Sequence, residues 1–439
     1  MKTFFLNLVA ILLVSLAFYS CKEDEEISES IEFLNEEIVP PTETTCGSSL
    51  TRDINTSGGV KVGEVVLAND IDSLYVTVNT DEEWYFSAAY LYIGEIRNIP
   101  VNDDLNVRVN EFPIKTSHEP LVRSVQFTFS LNEIAACEDI ALSLETKRLN
   151  SSGNVLEEAR SWMDGSALDG VAVDGSYYEY CLNECVVKYP IENVATMAFE
   201  DLYPEAGDAD YNDFVTTMKA NVYYKGKVPN KVEMEFSALA RGSAFDHEFR
   251  IGFPISGNVN VEIKRYSPLN DAVPYETEQL TNVGGEDFFI TVFPSTREIL
   301  EPQGNRFHAN SNPGTTFVEP SKSVITIDIL EGEMLLPIPF DPYIIVKGPD
   351  VEIHIAELTQ KIDADGDNMK DYWEIGEAIY PFGIVMFSEW AWPLELENIL
   401  SVYPKFEYVF VDGIFRPRDP GWYLTPKEDS KYFKRELFN

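Results

Sequence analysis

Over most of its length this chain is written as short β-rich runs broken by turn residues, with no sustained helical periodicity. Val62, Val65 and Leu67 lead to Leu74-Tyr75-Val76-Thr77-Val78, with Asn69-Asp70 marking a turn between the runs. Trp84–Ile93, Val122–Leu131 and Ile140–Leu144 continue the pattern. A second strand-rich block opens at Val186. It contains Lys231–Leu239, Glu248–Phe253, Asn258–Lys264, Phe288–Val292 and Ser323–Ile329, punctuated by Gly285, Pro294, Pro302 and Pro313. Only Leu394–Val411 has helical spacing, through Leu396, Ile399, Leu400, Tyr403 and Phe406, and Pro404 interrupts it. The expected fold is all-β: two β-sandwich-like domains, the second with one or two short helices near the C-terminus.

The first residues have another job. Lys2 is basic, Phe4–Phe18 is almost wholly apolar, and Ser20-Cys21 precedes the acidic run Lys22-Glu23-Asp24-Glu25-Glu26. A basic start, an apolar stretch and a small residue before the cleavage point make a secretory signal. The stretch is shorter than the roughly 20 residues of a membrane-spanning helix. A cysteine directly after the small residue resembles the lipobox of bacterial lipoproteins, and the acidic run resembles the surface-export signal of lipoproteins in the Bacteroidetes. The resemblance implies lipidation of Cys21 and an outer-membrane, surface-exposed location. The alternative is a secreted protein with a free cysteine. The resulting division is 1–20 signal, 21–45 acidic tether containing Pro40-Pro41, 46–185 a cysteine-bearing β-sandwich module, and 186–439 a second β-rich domain.

Four cysteines remain: Cys46, Cys137, Cys181 and Cys185. In an exported chain they imply two disulfides with three possible pairings. A bridge between Cys181 and Cys185 would close a tiny loop. Longer loops constrain the unfolded chain more, which favours joining Cys46 and Cys137 each to one member of the 181–185 pair. All four lie before residue 186, so the second domain needs another means of holding its loops.

Two acidic segments in that cysteine-free half offer one. Glu200, Asp201, Asp208, Asp210 and Asp213 crowd into fourteen positions with the amide of Asn212. Calcium takes roughly 6–8 oxygen ligands from carboxylates, amides and carbonyls. Gly207 allows a tight turn, and the alternation of Asp208, Asp210 and Asn212 lets them converge. The competing reading is an acidic loop with Asx turns and no ion, against which stands the mutual repulsion of five carboxylates. The second segment places Asp363, Asp365, Asp367, Asp371 and Glu374 at positions 1, 3, 5, 9 and 12 of a twelve-residue loop, with the Met369 carbonyl at position 7. Flanking helices are not evident. The segment resembles the calcium loops of dockerins and thrombospondin-type repeats; the alternative is a solvated acidic turn.

Other chemistry is less supported. The formal net charge is −41, a field that repels nucleic acid and anionic headgroups. His247-Glu248 begins like a zinc-protease motif, but position 251 is Ile, so the second ligand is missing. His118, His247, His308 and His354 read as packing or hydrogen-bonding residues. There is no Gly-x-Ser-x-Gly elbow and no phosphate loop. Trp390, Trp392, Trp422 and Tyr423 could stack on sugars or fill a core.

Three segments taken together carry a family likeness: Ala198–Pro204 leading into Gly207–Val215, then Ala240-Arg241-Gly242 with Phe245–Phe249, then Pro339–Val346 with Glu352-Ile353-His354. They resemble the LruC-domain lipoproteins of bacterial outer membranes, whose C-terminal domain has no assigned function. The likeness spans about residues 186–439 and implies location and architecture, not an activity. The expectation is a lipid-anchored, non-catalytic, calcium-stabilised surface protein with a binding or adhesion role toward a glycan or protein, held to the membrane by its anchor and without affinity for nucleic acid. The rival expectation is a carbohydrate-active protein, either a glycan-binding accessory or a hydrolase.

Overall fold

The computed structural model describes residues 29–34 and 45–439, apart from 133, 169, 173, 192–193, 206, 254, 286–287, 302–306, 332–340, 362, 364–365, 367–369, 376–377, 412–413 and 428–430. The signal, Cys21 and most of the tether lie outside the described residues.

The chain is all-β. Strands between Glu29 and Cys181 form one eleven-stranded antiparallel sheet. Ser73–Thr80 lies between Lys61–Asn69 and Ser124–Ser130, while Trp84–Ile93 pairs with Ile114–Val122 and Cys137–Leu149. Side chains alternate across a strand, so Leu74, Val76 and Val78 share one face. They bury it with Phe86, Leu91, Phe127 and Leu142 in a single cluster.

The second block begins with Glu184–Tyr189. An eight-stranded sheet runs in the order Glu276–Gly285, Ile255–Tyr266, Ser321–Glu331, Val228–Ala240, Phe214–Lys225, Ala195–Phe199 and Gly383–Met386, with Glu184–Tyr189 also paired to Phe214–Lys225. Its neighbour is a four-stranded sheet of Phe289–Phe293, Asp246–Gly252, Asp341–Lys347 and Val351–His354. Val228–Ala240 shows why the two sheets meet. Met234, Phe236 and Ala238 are fully buried while Glu233, Glu235, Ser237 and Leu239 point to the other face. The buried set joins Phe249, Ile251, Ile290 and Ile344 of the smaller sheet in one core. The opposite face of the larger sheet, carrying Thr217, Lys219, Ser237 and Leu239, is overlain by the C-terminal segment.

A last small sheet, Tyr372–Ile375, Ala378–Pro381, Tyr408–Val411 and Ile414–Pro417, covers an aromatic cluster. Trp390, Trp392 and Trp422 belong to this cluster and are buried; Tyr423 is half-buried. Three α-helices occur among the described residues, Thr296–Ile299, Ala356–Thr359 and Ile399–Val402, each of 4 residues. The helical spacing of Leu394–Val411 thus yields one turn only. Pro404 cannot donate to a continuing helix, and Tyr408–Val411 leaves as a strand.

Two disulfides are present, Cys46–Cys185 and Cys137–Cys181, so Cys181 and Cys185 each take a different earlier partner. The second lies within the first sheet, where Cys137 and Cys181 are paired across adjacent strands. The first ties that sheet to the second block, and beside it Asn183 N–H donates to Asn69 Oδ1 at 2.8 Å. Sequence separations of 139 and 44 make the loops unequal. Loop-closure entropy grows as 1.5RT ln n, a difference of about 1 kcal/mol. Serine replacement of Cys46 and Cys185 should therefore destabilise the chain by about 1 kcal/mol more than serine replacement of Cys137 and Cys181. Urea unfolding of the two double variants measures this. A larger loss for the 137–181 variant would show that local packing, not chain entropy, sets the contribution.

Candidate metal centre

The acidic segment 200–213 connects the paired strands Ala195–Phe199 and Phe214–Lys225. At its base Phe199 and Phe214 are stacked partners in the core, 6.4 Å apart. The loop is fixed by more than this hinge. Tyr211 is fully buried between Trp373 and Phe406, and its hydroxyl donates to Pro381 O. Gly207, Ala209 and Tyr211 all have positive φ, at 59°, 53° and 53°. For Ala and Tyr that conformation is uncommon and persists only where the surroundings enforce it.

Part of the enforcement comes from far along the chain. Ile399 N–H donates to Ala209 O at 2.7 Å, Leu396 N–H to Asp210 Oδ2 at 2.8 Å, and Asn398 Nδ2 to Asp208 O at 3.1 Å. Residues 394–399 therefore form a lid on the acidic loop. Glu395 in this lid accepts from His308 Nδ1 at 2.8 Å.

The geometry divides the six expected ligands into two groups. Glu200, Asp208 and Asp210 each offer an oxygen, and these oxygens lie within 4.8 Å of one another. Glu200 and Asp210 are buried and Asp208 is half-buried. Glu200 Oε1 accepts from Tyr211 N–H, but Glu200 Oε2 is buried with no hydrogen-bond partner. Asp201 and Asp213 turn elsewhere. Asp201 Oδ2 accepts from Ser243 Oγ and meets His247 Nε2 at 2.7 Å, while Asp213 Oδ2 accepts from Asp201 N–H at 2.8 Å. The buried Arg241 guanidinium lies near both carboxyls and is held down to about 10 by burial, with Asp201 and Asp213 acting in the opposite sense. Asn212 donates through Nδ2 to Pro393 O at 3.1 Å. Its Oδ1 is buried and unpartnered, and a Cβ on Gly242 would fall 1.7 Å from it.

Electrostatics does not follow this division, since burial, then Asp201 and Glu200, also raise the Asp213 carboxyl well above the usual range. Burial, then Asp208 and Glu395, push Asp210 up to about 8. Burial and Asp210 raise the Glu200 carboxyl well above the usual range. Burial raises Asp208, with Glu395 adding and His308 opposing. Two unit charges 4.8 Å apart repel by about 3 kcal/mol at an effective dielectric of about 20. Three such pairs approach about 10 kcal/mol, comparable with the net stability of a whole domain. Three ionised carboxylates cannot share this space alone. They either hold protons or hold a cation.

The donor set fits a hard cation. All ligand atoms are carboxylate oxygens, and two calcium–oxygen bonds laid end to end span about 4.6–5.2 Å. Magnesium–oxygen bonds are shorter and demand a stricter octahedron. Nitrogen or sulfur ligands that would favour zinc are absent from the trio.

The second acidic segment is only partly placed. Asp365, Asp367 and Met369 lie outside the described residues. Asp363 Oδ1 accepts from Gly366 N–H at 2.7 Å, an Asx-type turn. Asp371 is buried, and Glu374 pairs with Lys370 at 2.6 Å from the strand Tyr372–Ile375 that follows the loop directly.

The histidines sit in packed settings. His247 also meets Thr296 Oγ1 at 3.1 Å and is fully buried. His354 stacks on Tyr343 at 4.5 Å between Asp341 and Glu352. Burial disfavours its charge, but those carboxylate hydrogen bonds prevail and lift it to about 10. The residues that sequence reasoning missed are Glu395, His308 and the Leu396 amide. No local signal marks them, since their link to the loop is formed by packing across some 90–190 positions.

Residues 228–412, less than half of the chain, match the profile of a domain of unknown function, DUF4842. No curated protein matches the chain. Among solved structures, a "putative lipoprotein from Bacteroides ovatus" is similar at 12% identity with a TM-score of 0.38, covering 88% of this chain and 100% of that one.

The raised carboxyls give the cation-free protein a distinctive pH response. A group whose pKa is higher folded than unfolded stabilises the fold below its unfolded value and loses that contribution as pH rises through the folded value. For Asp210 the window runs from the ordinary 3.8 to about 8. In chelator, stability should fall across this range by up to about 1.4 kcal/mol per pH unit for each such group. With millimolar calcium the fall should vanish, because the ion needs deprotonated ligands. Urea midpoints at pH 4.5, 6 and 7.5 with and without chelator measure it; parallel curves would remove the trio from the account.

Proposed function

We propose that this chain is a lipid-anchored, surface-displayed, non-catalytic binding protein whose second block is stiffened by calcium held at Glu200, Asp208 and Asp210. The observation that carries the reading is the convergence of these three carboxylates on an ion-sized space beneath the 394–399 lid. Carboxyls with raised pKa values also suit acid–base catalysis. Here, however, they are closed over by Tyr211 and the lid, and Glu200 and Asp210 have almost no contact with solvent. Substrate would have no approach. An ion in this place joins the hairpin loop to the lid and does for the second block, whose one cysteine Cys185 is bridged back to Cys46, what the internal Cys137–Cys181 bridge does for the first sheet.

The anchor reading rests on Ser20-Cys21 after the apolar stretch. The likeness to LruC-domain lipoproteins supports it, and two of its three segments lie wholly or largely within the matched residues 228–412. Cys21→Ala should abolish lipid labelling and either release the protein or leave its signal uncleaved. Normal processing and unchanged membrane retention in that variant would sink the anchor.

The calcium reading is tested on residues 22–439. At about tenfold excess over Kd, one site adds roughly 1.4 kcal/mol by mass action. For a cooperative unit of about 250 residues this is a rise of roughly 3–5 °C in melting temperature. Magnesium should give less. Asp210→Asn should reduce the calcium response by most of its size. Asp363→Asn tests the second segment, and a partial loss there would assign it a separate ion. Identical melting in calcium and chelator would reduce both segments to acidic loops.

A further inference from the structure

The outer face of the eight-stranded sheet holds a feature that the calcium reading does not use. Thr196, Thr217, Ser237, Lys322 and Tyr266 are register partners on five adjacent strands. They form a straight row across the sheet, about 19 Å long at the usual strand spacing. Over this row lies a cavity of about 570 Å³. That volume is within the usual range for small-ligand sites, about 300–1,000 Å³. Its far wall is the C-terminal segment, where Trp390 and Trp392 are buried behind a half-exposed Phe433 that stacks on Trp392 at 4.1 Å. Phe317 and Tyr266, also half-exposed, complete the aromatic lining.

The polar side chains are as telling as the rings. Thr196 Oγ1 donates to Ser388 O at 2.7 Å and is occupied. The hydroxyls of Thr217, Ser237 and Tyr266 have no protein hydrogen bond among the described residues. Two ammonium groups, Lys219 and Lys322, and three carboxylates, Asp271, Glu319 and Glu389, also line the cavity. None of the five is in an ion pair among the described residues. Opposite charges that surround one space without pairing leave both donors and acceptors free. The ligand they suit has many groups that both donate and accept, with apolar C–H faces for the rings.

We propose that this cavity binds a neutral oligosaccharide. It deepens the binding role proposed above and rests on that reading. Sugar hydroxyls would be met by Lys322 and the Thr217–Ser237 floor on one side and by the rim carboxylates on the other, with ring faces against Phe433, Phe317 and Tyr266. An acidic glycan is disfavoured by three lining carboxylates against two ammoniums and by the net charge of −41. An apolar ligand would leave the floor and the five charges desolvated without partners.

The test uses residues 22–439 in calcium with cello-, xylo-, manno- and maltohexaose, and a hexameric oligogalacturonate as the acidic comparison. Calorimetry should give saturable binding of at least one neutral hexasaccharide with Kd in the range of about 10 µM to 1 mM. Lys322→Ala and Phe433→Ala should each weaken it at least about tenfold, roughly 1.4 kcal/mol. Ser237→Ala, which removes only a hydroxyl, is the variant least exposed to misfolding and should also weaken binding. The calcium-induced rise in melting temperature should be unchanged in all three. No binding of any neutral member at about 10 mM, binding indifferent to the three substitutions, or preference for the oligogalacturonate would overturn the proposal. An intact calcium response without saccharide binding removes the cavity's role and leaves the calcium reading standing; saccharide binding without a calcium response does the reverse.

Discussion

The constraint on which the second block depends is the crowding of three carboxyl groups, Glu200, Asp208 and Asp210, at a largely buried place. Hydrophobic packing explains why the two sheets meet, but the acidic loop works against that packing. It brings three carboxyl groups within 4.8 Å of one another, two of them buried and one half-buried, where ionisation of all three is opposed. The fold nevertheless holds this loop by specific backbone contacts from distant parts of the chain. Left-handed Ala209 and Tyr211, the Tyr211–Glu200 and Leu396–Asp210 hydrogen bonds and the Ile399–Ala209 link all converge there. Such an arrangement is stable when something positive completes it. The neighbouring Asp201 shows the alternative solution, since its carboxyl accepts from Ser243 Oγ and meets His247 Nε2, with the Arg241 charge also favouring it.

The two blocks reach rigidity by different chemistry. The first sheet has covalent bridges, one internal and one to its neighbour. The second has an aromatic cluster around Trp422, Tyr403 and Phe406 and, in the proposed reading, an ion under a lid drawn from that same cluster's edge. Calcium would then act at the junction between the sheet hairpin and the C-terminal segment. That segment also walls the cavity above the Thr217–Ser237–Lys322 row, so ion and cavity share a structural element. An ion that orders the lid would also order the wall.

Much of this was legible in the sequence wherever the determining contacts are local. Period-2 alternation in Lys231–Leu239 marks a strand because its buried face is continuous, and the structure extends it to Val228–Ala240. The dense carboxylates of 200–213 mark a candidate site because their repulsion is a sequence-local fact, and three of them, Glu200, Asp208 and Asp210, come together. What sequence could not supply is which carboxylates meet. Alternation suggests that Asp208, Asp210 and Asn212 converge, yet positive φ at Ala209 and Tyr211 reorients the loop. Glu200, adjacent to the strand end, joins Asp208 and Asp210. The lid was invisible because it comes from residue 394 onward. The helical spacing at Leu394–Val411 misled for a related reason: Ile399, Val402, Tyr403 and Phe406 are apolar because they enter a shared aromatic cluster from one helical turn and the loop after it, not from the face of one long helix. The row beneath the cavity was equally hidden, since its five members are neighbours only through strand register.

The central claim is the presence of one cation at the carboxylate trio, and anomalous scattering tests it most directly. Crystals of residues 22–439 grown in calcium, with data collected at long wavelength, should show a single strong anomalous peak about 2.3–2.6 Å from carboxylate oxygens of Glu200, Asp208 and Asp210. That peak should disappear in crystals soaked in chelator. Density in the trio without anomalous signal, at hydrogen-bonding rather than coordination distance, would mean that the carboxyls are held by protons and water, and would contradict the account.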